Sequence, residues 1–289
     1  MNFHRNKLKN ILHFLYEDGS KHSNYQNIPI FVQKELNYKE LINEKWRGDT
    51  ARYKFIKDNL YLKDGYIVGD LGANIGFFSL SLAKEYPQVK FVAYEANQKH
   101  CQFIEEIKSY FKISNIFVEN ISINSTNIGS LPKHDVMFHL NVLHHAGFDF
   151  DNGVINNIRE FSSYAISHLT TLLKAKNNKI YFQIGSNWGG NKDKPIVNTN
   201  DDISKVLYIS NLCTKSGWTI NKISFPTINK YGEIYYRDLK KEIITKINRN
   251  SEFDNFDLIK ELNTELIFYN LNQFPGEFYR RPFLIIENL

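Results

Sequence analysis

The chain has 289 residues, 42% hydrophobic and 23% charged, a balance that excludes wholesale disorder and allows one large core with additions. Its 36 basic and 31 acidic residues leave a net charge of +5, spread along the chain, which does not by itself argue for nucleic acid. Two cysteines, Cys101 and Cys213, provide neither a disulfide framework nor a zinc pattern and suit a reducing cytoplasm.

The first sixteen residues mix Arg5, Lys7 and Lys9 with Ile11, Leu12, Phe14 and Leu15. His13 interrupts the apolar run and no small-residue cleavage site follows, so the segment reads as an amphipathic helix and not as a signal peptide. No run approaches the length that spans a bilayer. Residues 1–60 read as a helical segment, with Trp46-Arg47-Gly48-Asp49 near the entrance to the first core strand, in a position to form a lid.

Tyr66 to Val68 reads as a buried strand, and Ile75, Phe78, Leu80, Leu82 and Ala83 give a helical apolar face just beyond. Between them runs Gly69-Asp70-Leu71-Gly72-Ala73-Asn74-Ile75-Gly76. Gly72 and Gly76 mark tight turns that let a ligand approach the backbone. Amides at the new helix start favour an anion, while Asp70 sits where a cationic amine could be held. An amino acid carries both charges. The glycine spacing is not the G-x-G-x-x-G of a pyrophosphate site. Val89 to Glu95 then reads as a second strand ending in an acid, the place where a doubly wound fold holds a ribose hydroxyl. Together they describe a zwitterionic amino acid joined to a nucleoside.

Further along, a helix is expected near 97–110, a strand at Ile116 to Val118, a strand at Asp135 to Leu140 and a long helix over 152–175. A strand at Lys179 to Ile184, a helix near 201–215 and a strand at Trp218 to Ser224 follow. Such alternation implies a mostly parallel sheet with helices on both faces. In residues 229–262 acidic and basic side chains are interspersed, as on a solvated surface.

Asp70, Gly72, Gly76 and Glu95, with the strand and loop His134 to His145, resemble the class I S-adenosylmethionine-dependent methyltransferases, whose first motif is D/E-x-G-x-x-x-G. The resemblance covers roughly residues 60–225. It implies a Rossmann-like, doubly wound seven-stranded α/β sheet with an antiparallel last strand, for which Arg281 to Glu287 is the candidate. The organisation it suggests is an N-terminal helical lid segment (1–60), a cofactor-binding core (61–225), an insertion read as a substrate cap (226–280) and the last core strand (281–289). It implies S-adenosylmethionine as cofactor and S-adenosylhomocysteine as product. Asp70, Gly72, Ala73, Asn74, Gly76, Glu95, Ala96, Leu140 and Asn141 would then lie at the cofactor.

Ligands of open parallel sheets bind at the carboxyl ends of strands, which places the chemistry after the fourth strand. Leu143-His144-His145 is similar to the loop of some sugar O-methyltransferases that use a histidine as base. The match favours His145 as base and His144 as a wall of the cofactor pocket. Gln183, Ser186, Asn187 and Trp188 suit a polyhydroxylated ring, with the indole as a stacking face. Tyr231, Tyr235, Tyr236 and Arg237 would either line an acceptor pocket or cover the insertion's own core. No metal is expected, since Asp135 and His139 lie within a strand and magnesium prefers oxygen ligands.

A narrower resemblance links Ile128-Gly129-Ser130-Leu131-Pro132 and the histidine loop to tRNA wobble-uridine carboxymethyltransferases, which would put Ile128 and Gly129 beside the adenine and Trp46 near the cofactor. That family has Tyr-His-Arg where this chain has His144-His145-Ala146. The expectation is therefore ordinary methyl transfer to a sugar or nucleotide sugar in surface polysaccharide assembly, in the cytoplasm. The alternatives are an RNA-modifying enzyme and a non-catalytic, cofactor-binding partner subunit.

Overall fold

A computed structural model describes residues 2–17, 27–38, 48–249, 256–274 and 278–289. The chain divides into two compact units, Met1–Asp49 with Leu60–Ile123, and Thr50–Asn59 with Asn124–Leu289. Among the described residues three helices open the chain: α1 (Asn2–Glu17), α2 (Ile30–Leu36) and α3 (Asp49–Asn59), the last of which runs with the second unit. The sheet has eight strands, β3-β2-β1 in the first unit and β4-β5-β8-β6-β7 in the second.

In the first unit β1 (Ile67–Leu71), β2 (Lys90–Glu95) and β3 (Ile116–Asn120) are parallel. Val68 to Leu71 and Phe91 to Glu95 are buried throughout, the continuous burial of strands covered on both faces. Helix α4 (Phe77–Glu85) links β1 to β2, and α5 (Gln98–Phe111) links β2 to β3. The Asn97 side chain starts α5 by accepting the Lys99 amide, and Cys101, Ile104 and Ile107 turn one apolar face inward. Leu8, Leu12 and Leu15 bury the facing stripe of α1. Lys7 pairs with Glu106, Glu35 accepts the Tyr110 hydroxyl, and Phe31 packs edge-on to Phe111. These contacts fall on the half of α5 remote from the carboxyl ends of the strands. Of the segment read as a lid, α1 packs on α5, and Trp46 lies outside the described residues.

In the second unit β4 (Val136–Leu140) and β5 (Lys179–Gln183) are parallel. Helix α6 (Ile158–Lys174) joins them and α7 (Asp202–Lys215) follows β5. Helix α6 starts six residues later than expected because Gly147 and Gly153 hold an irregular loop in positive φ, and Asn157 then caps the helix by accepting the Arg159 and Glu160 amides. Strand β6 (Thr219–Ile228) outruns the expected Ser224 and forms a hairpin with β7 (Ile234–Asp238). The sheet is therefore eight-stranded and not seven-stranded. The hairpin closes at Asn229, which accepts the Gly232 amide, with Gly232 in the left-handed region. After α8 (Lys241–Arg249) and α9 (Phe256–Ile267) the chain returns as β8 (Phe283–Glu287), antiparallel to both β5 and β6, as expected of the last strand.

The Asn248 side chain bonds both backbone groups of Ile220, so α8 ends at the start of β6, opposite the carboxyl end of the parallel strands. Among the described residues of the segment read as a cap, the 228–234 hairpin tip and the approach to β8 lie at that carboxyl end. Among the described residues no helix is long and apolar enough to cross a membrane.

One polar pair sits inside this unit. His139 of β4 and His168 of α6 are buried with Nε2 atoms 3.1 Å apart. Burial lowers both, His168 to about 3 and His139 well below the usual range, with the neighbouring ring adding to the latter. Because the folded-state values lie below the unfolded 6.5, the unfolded chain binds more protons as pH falls. Stability is complete above 6.5 and drains between 6.5 and about 3. The expected cost at pH 4 is on the order of a few kcal/mol. A His139→Phe, His168→Leu double variant should show a flatter melting temperature between pH 7 and 4 in a calorimetric pH series.

Candidate active site

In the first unit, Asp70 stands one residue before the end of buried β1, and the chain turns through Gly72 and Asn74, both left-handed, into α4. Gly76 is the N-cap of α4 at φ 76°, and a Cβ there would lie 3.0 Å from the Ile104 side chain, so turn and helix pack too tightly for any other residue. The turn is self-bonded. The Gly72 and Ala73 amides donate to the Tyr94 carbonyl, Gly76 to Ala73, Ile75 to the Asn74 side chain and Asn74 to Glu95. These turn amides hold the loop to itself and to the end of β2.

What the turn leaves open is acidic. Asp70 is 5% exposed and its Oδ2 has no hydrogen-bond partner. Burial pushes its carboxyl up to about 7, against the pull of the facing Ser79, with the Glu95 charge adding to the rise. Such a carboxylate gains from an incoming ammonium, which supplies the missing donor and the missing countercharge. At Glu95 burial alone would raise the carboxyl, but the His100 ring and the Asn97 and Asn74 amides outweigh it and keep it below the usual range. Its oxygens accept Asn74 N–H at 2.7 Å and Asn97 N–H at 2.8 Å. Each retains a lone pair for a hydroxyl donor. Ala96, directly after it, is exposed. A cation at Asp70 and a diol at Glu95 are what these residues fit.

In the second unit a short helical turn, Leu143–His145, follows β4. His144 is buried and its Nδ1 accepts the Gly185 amide at 3.2 Å, which leaves the ring proton on Nε2. His145 is half-buried with Nδ1 2.8 Å from Asp149 Oδ2, an ion-pair distance without the alignment of a hydrogen bond. The two rings lie 4.2 Å apart. Gly185 makes the arrangement possible, since a Cβ there would come within 2.6 Å of the His144 ring. Gly185→Ala should displace His144, lowering kcat for methyl transfer at least about tenfold with cofactor affinity unchanged; single-turnover kinetics beside calorimetry would separate the two.

Other sequence-predicted residues divide. Gln183 is fully buried and accepts from Arg52 and Asn141 while donating to the Arg281 carbonyl, so it ties the site together and is not free for a substrate. Trp188 is 5% exposed, gives its indole N–H to the Ala146 carbonyl and packs edge-on to Phe148. Both readings as substrate contacts are corrected: Trp188 buttresses the histidine loop because its ring is spent on that loop's own residues. Asn187, 7% exposed, keeps an unpartnered Oδ1. Tyr231 and Tyr235 are exposed on the β6–β7 hairpin, and exposed Arg237 shares Tyr235's face of the strand, its guanidinium over Tyr269. Tyr236 faces the other way, against Phe55 and Phe283. Ile128 is buried in a short turn, beside exposed Gly129; Leu140 and Asn141 are half-buried at the end of β4.

Sequence reading missed Asp149, Gly185, Arg52, Arg281 and Phe278. Asp149 stood four residues after His145, a spacing that could have found it; the others are brought in by the fold.

The strand order and the Asp70-x-Gly72-x-x-x-Gly76 turn with Glu95 after it resemble the fold and first motif of the class I S-adenosylmethionine-dependent methyltransferases. No model of a known protein family matches the chain. Over 102 residues it is 33% identical to ribosomal RNA small subunit methyltransferase G 3 of Bdellovibrio bacteriovorus, a match covering 35% of this chain and 42% of that protein. Solved structures include a SAM-dependent methyltransferase from Aquifex aeolicus, 18% identical with a TM-score of 0.41 over 61% of this chain and 85% of that one. Another is a magnesium protoporphyrin IX methyltransferase from Synechocystis PCC 6803 with bound S-adenosylhomocysteine, 14% identical with a TM-score of 0.42 over 66% and 78% of the two chains.

Proposed function

We propose that this chain is an S-adenosylmethionine-dependent methyltransferase whose acceptor is a hydroxyl of a small polar molecule, a sugar or nucleotide sugar. The observation that carries the cofactor reading is Asp70, a buried carboxylate with an unpartnered oxygen on a glycine turn. Asp70 would hold the cofactor's ammonium group and Glu95 its ribose hydroxyls, with Gly72, Ala73, Asn74, Gly76 and Ala96 shaping the approach. Ile128, Gly129, Leu140, Asn141 and Trp46 are assigned to the cofactor by resemblance alone. When bound, the cofactor supplies a methyl group activated by a sulfonium.

The chain's own chemistry is proton removal. His145 Nε2 takes the acceptor hydroxyl proton, and Asp149 keeps the ring in the tautomer that can do so and stabilises the imidazolium that results. The Nε2–H of His144 offers a hydrogen bond beside it. Two buried free cysteines support a cytoplasmic setting. Calorimetric titration with S-adenosylmethionine tests the first part, with micromolar binding expected; a labelled-methyl assay over neutral and anionic sugars tests the second. Absence of binding by the folded protein would end the proposal.

A second reading, methylation of RNA, is supported by the match to a ribosomal RNA methyltransferase. It predicts label in RNA and none in carbohydrate, with binding that weakens steeply as salt rises.

A further inference from the structure

The stretch after β5 locks onto the histidine loop, and a cation sits on the seam. The Trp188 ring packs 4.8 Å from that of Phe148 while its indole N–H donates to the Ala146 carbonyl. Glycines make the fit possible. A Cβ on Gly147 would lie 3.1 Å from the indole, one on Gly189 2.4 Å from the Phe148 ring, and one on Gly190 3.6 Å from His145 Cε1. The chain then doubles back, the Trp188 amide donating to the Lys194 carbonyl at 2.9 Å and Asn187 pairing with Pro195 in an isolated bridge. This turn sets the Lys194 ammonium 4.9 Å from the centre of the Phe148 ring and 5.2 Å from that of Trp188.

Two aromatic faces orient a cation without neutralising it. Lys194 is exposed, and among the described residues no carboxylate forms an ion pair with it. Asp149, the acid of the histidine loop, stands against His145 instead. An ammonium is a compact point charge that suits phosphate and carboxylate oxygens. A second observation in the same turn points to a ligand: Asn187 is 7% exposed and its Oδ1 has no hydrogen-bond partner. A buried acceptor without a donor is costly, and a hydroxyl of a bound molecule would supply what is missing. The oriented cation, the orphan acceptor and the proposed base thus stand on one pair of interlocked loops.

We propose that Lys194, held by Phe148 and Trp188 beside the histidine turn, binds an anionic group of the acceptor and so selects a charged substrate over a neutral sugar. The charge is a phosphate, as in a nucleoside diphosphate sugar, or a carboxylate, as in a uronic acid. This rests on the proposed methyltransferase reading and narrows its substrate class.

The test is calorimetric titration of the full chain with uridine diphosphate, inorganic pyrophosphate, glucuronate and neutral glucose, in wild type, Lys194→Gln, Lys194→Arg and Lys192→Gln. S-adenosylmethionine is titrated into the same samples. The expected result is binding of at least one anion, weakened about tenfold or more in Lys194→Gln and recovered to within about threefold in Lys194→Arg, which keeps the charge and can stack on the same rings. Lys192→Gln, an exposed neighbour two residues away, should leave anion binding unchanged to within about twofold. Glucose should not bind, and cofactor affinity should be the same in all four proteins. Preference for uridine diphosphate and pyrophosphate would identify a phosphate, and preference for glucuronate a carboxylate. Failure of every anion to bind wild type, or equal binding by wild type and Lys194→Gln, would overturn the proposal. An equal loss in Lys192→Gln would overturn it too, reducing the effect to diffuse surface charge. Absence of cofactor binding by wild type would instead remove the methyltransferase reading.

Discussion

Asp70→Asn should weaken S-adenosylmethionine binding about a hundredfold, the loss of roughly 3 kcal/mol that accompanies removal of one member of a buried, charge-assisted pair. The wild-type carboxyl is raised to about 7 by burial, so in the free protein it is largely protonated below that pH and ionises only at a cost above it. Its contribution to stability is present below the unfolded value of 3.8 and lost as pH rises through about 7. A cationic ligand reverses this by favouring the charged form. Affinity should therefore fall by up to about tenfold for each pH unit below about 7 and level off above it. Asp70→Asn should lose that slope as well as the affinity, and calorimetry at five pH values would read both. Unchanged affinity with an unchanged slope would show that the ammonium is held elsewhere.

His145→Ala should lower kcat by about a hundredfold to ten-thousandfold, the usual worth of a positioned base, with cofactor affinity unchanged to within about twofold. His144→Ala should cost less in proton transfer but disturb the Gly185 backbone, since that amide loses its acceptor. Asp149→Asn should reduce kcat by on the order of tenfold or more, because an amide can present an oxygen to the ring without stabilising the imidazolium. Equal losses of kcat in both histidine variants, with cofactor still bound, would mean that His145 is not the particular ring that takes the proton.

Much of the framework was legible in advance because it is written in local pattern. Strands at 90–95, 136–140 and 179–183 stand within a residue of their expected places, and the first starts one residue late and runs three residues further, to Leu71, since continuous apolar runs bounded by polar residues leave little choice of period. The acid–glycine turn was legible for the same reason, being a requirement on backbone conformation that few residues meet. The start of α6 was missed because a helical-looking run at 152–157 contains Gly153 in positive φ and an Asn157 cap that stops the helix from extending backwards. The hairpin partner β7 was missed because Tyr235, Tyr236 and Arg237 carry no alternating apolar pattern. Only Tyr236 turns its ring to the core.

The sequence by itself determined the alternation of strands and helices as far as β6, the last strand, the glycine turn with its two acids, and the presence of a histidine pair after the fourth strand. These depend on neighbours along the chain. Only the tertiary structure decided what each side chain does. It spent the turn amides on the loop itself, set Trp188 under the histidine loop, set one of the two adjacent rings against the Gly185 amide and the other beside Asp149, and gathered Arg52, Phe278 and Arg281 from positions more than two hundred residues apart. Hydrogen-bond partners and charge neighbours are properties of distance in space, and a linear pattern fixes that distance only within a few turns of the chain.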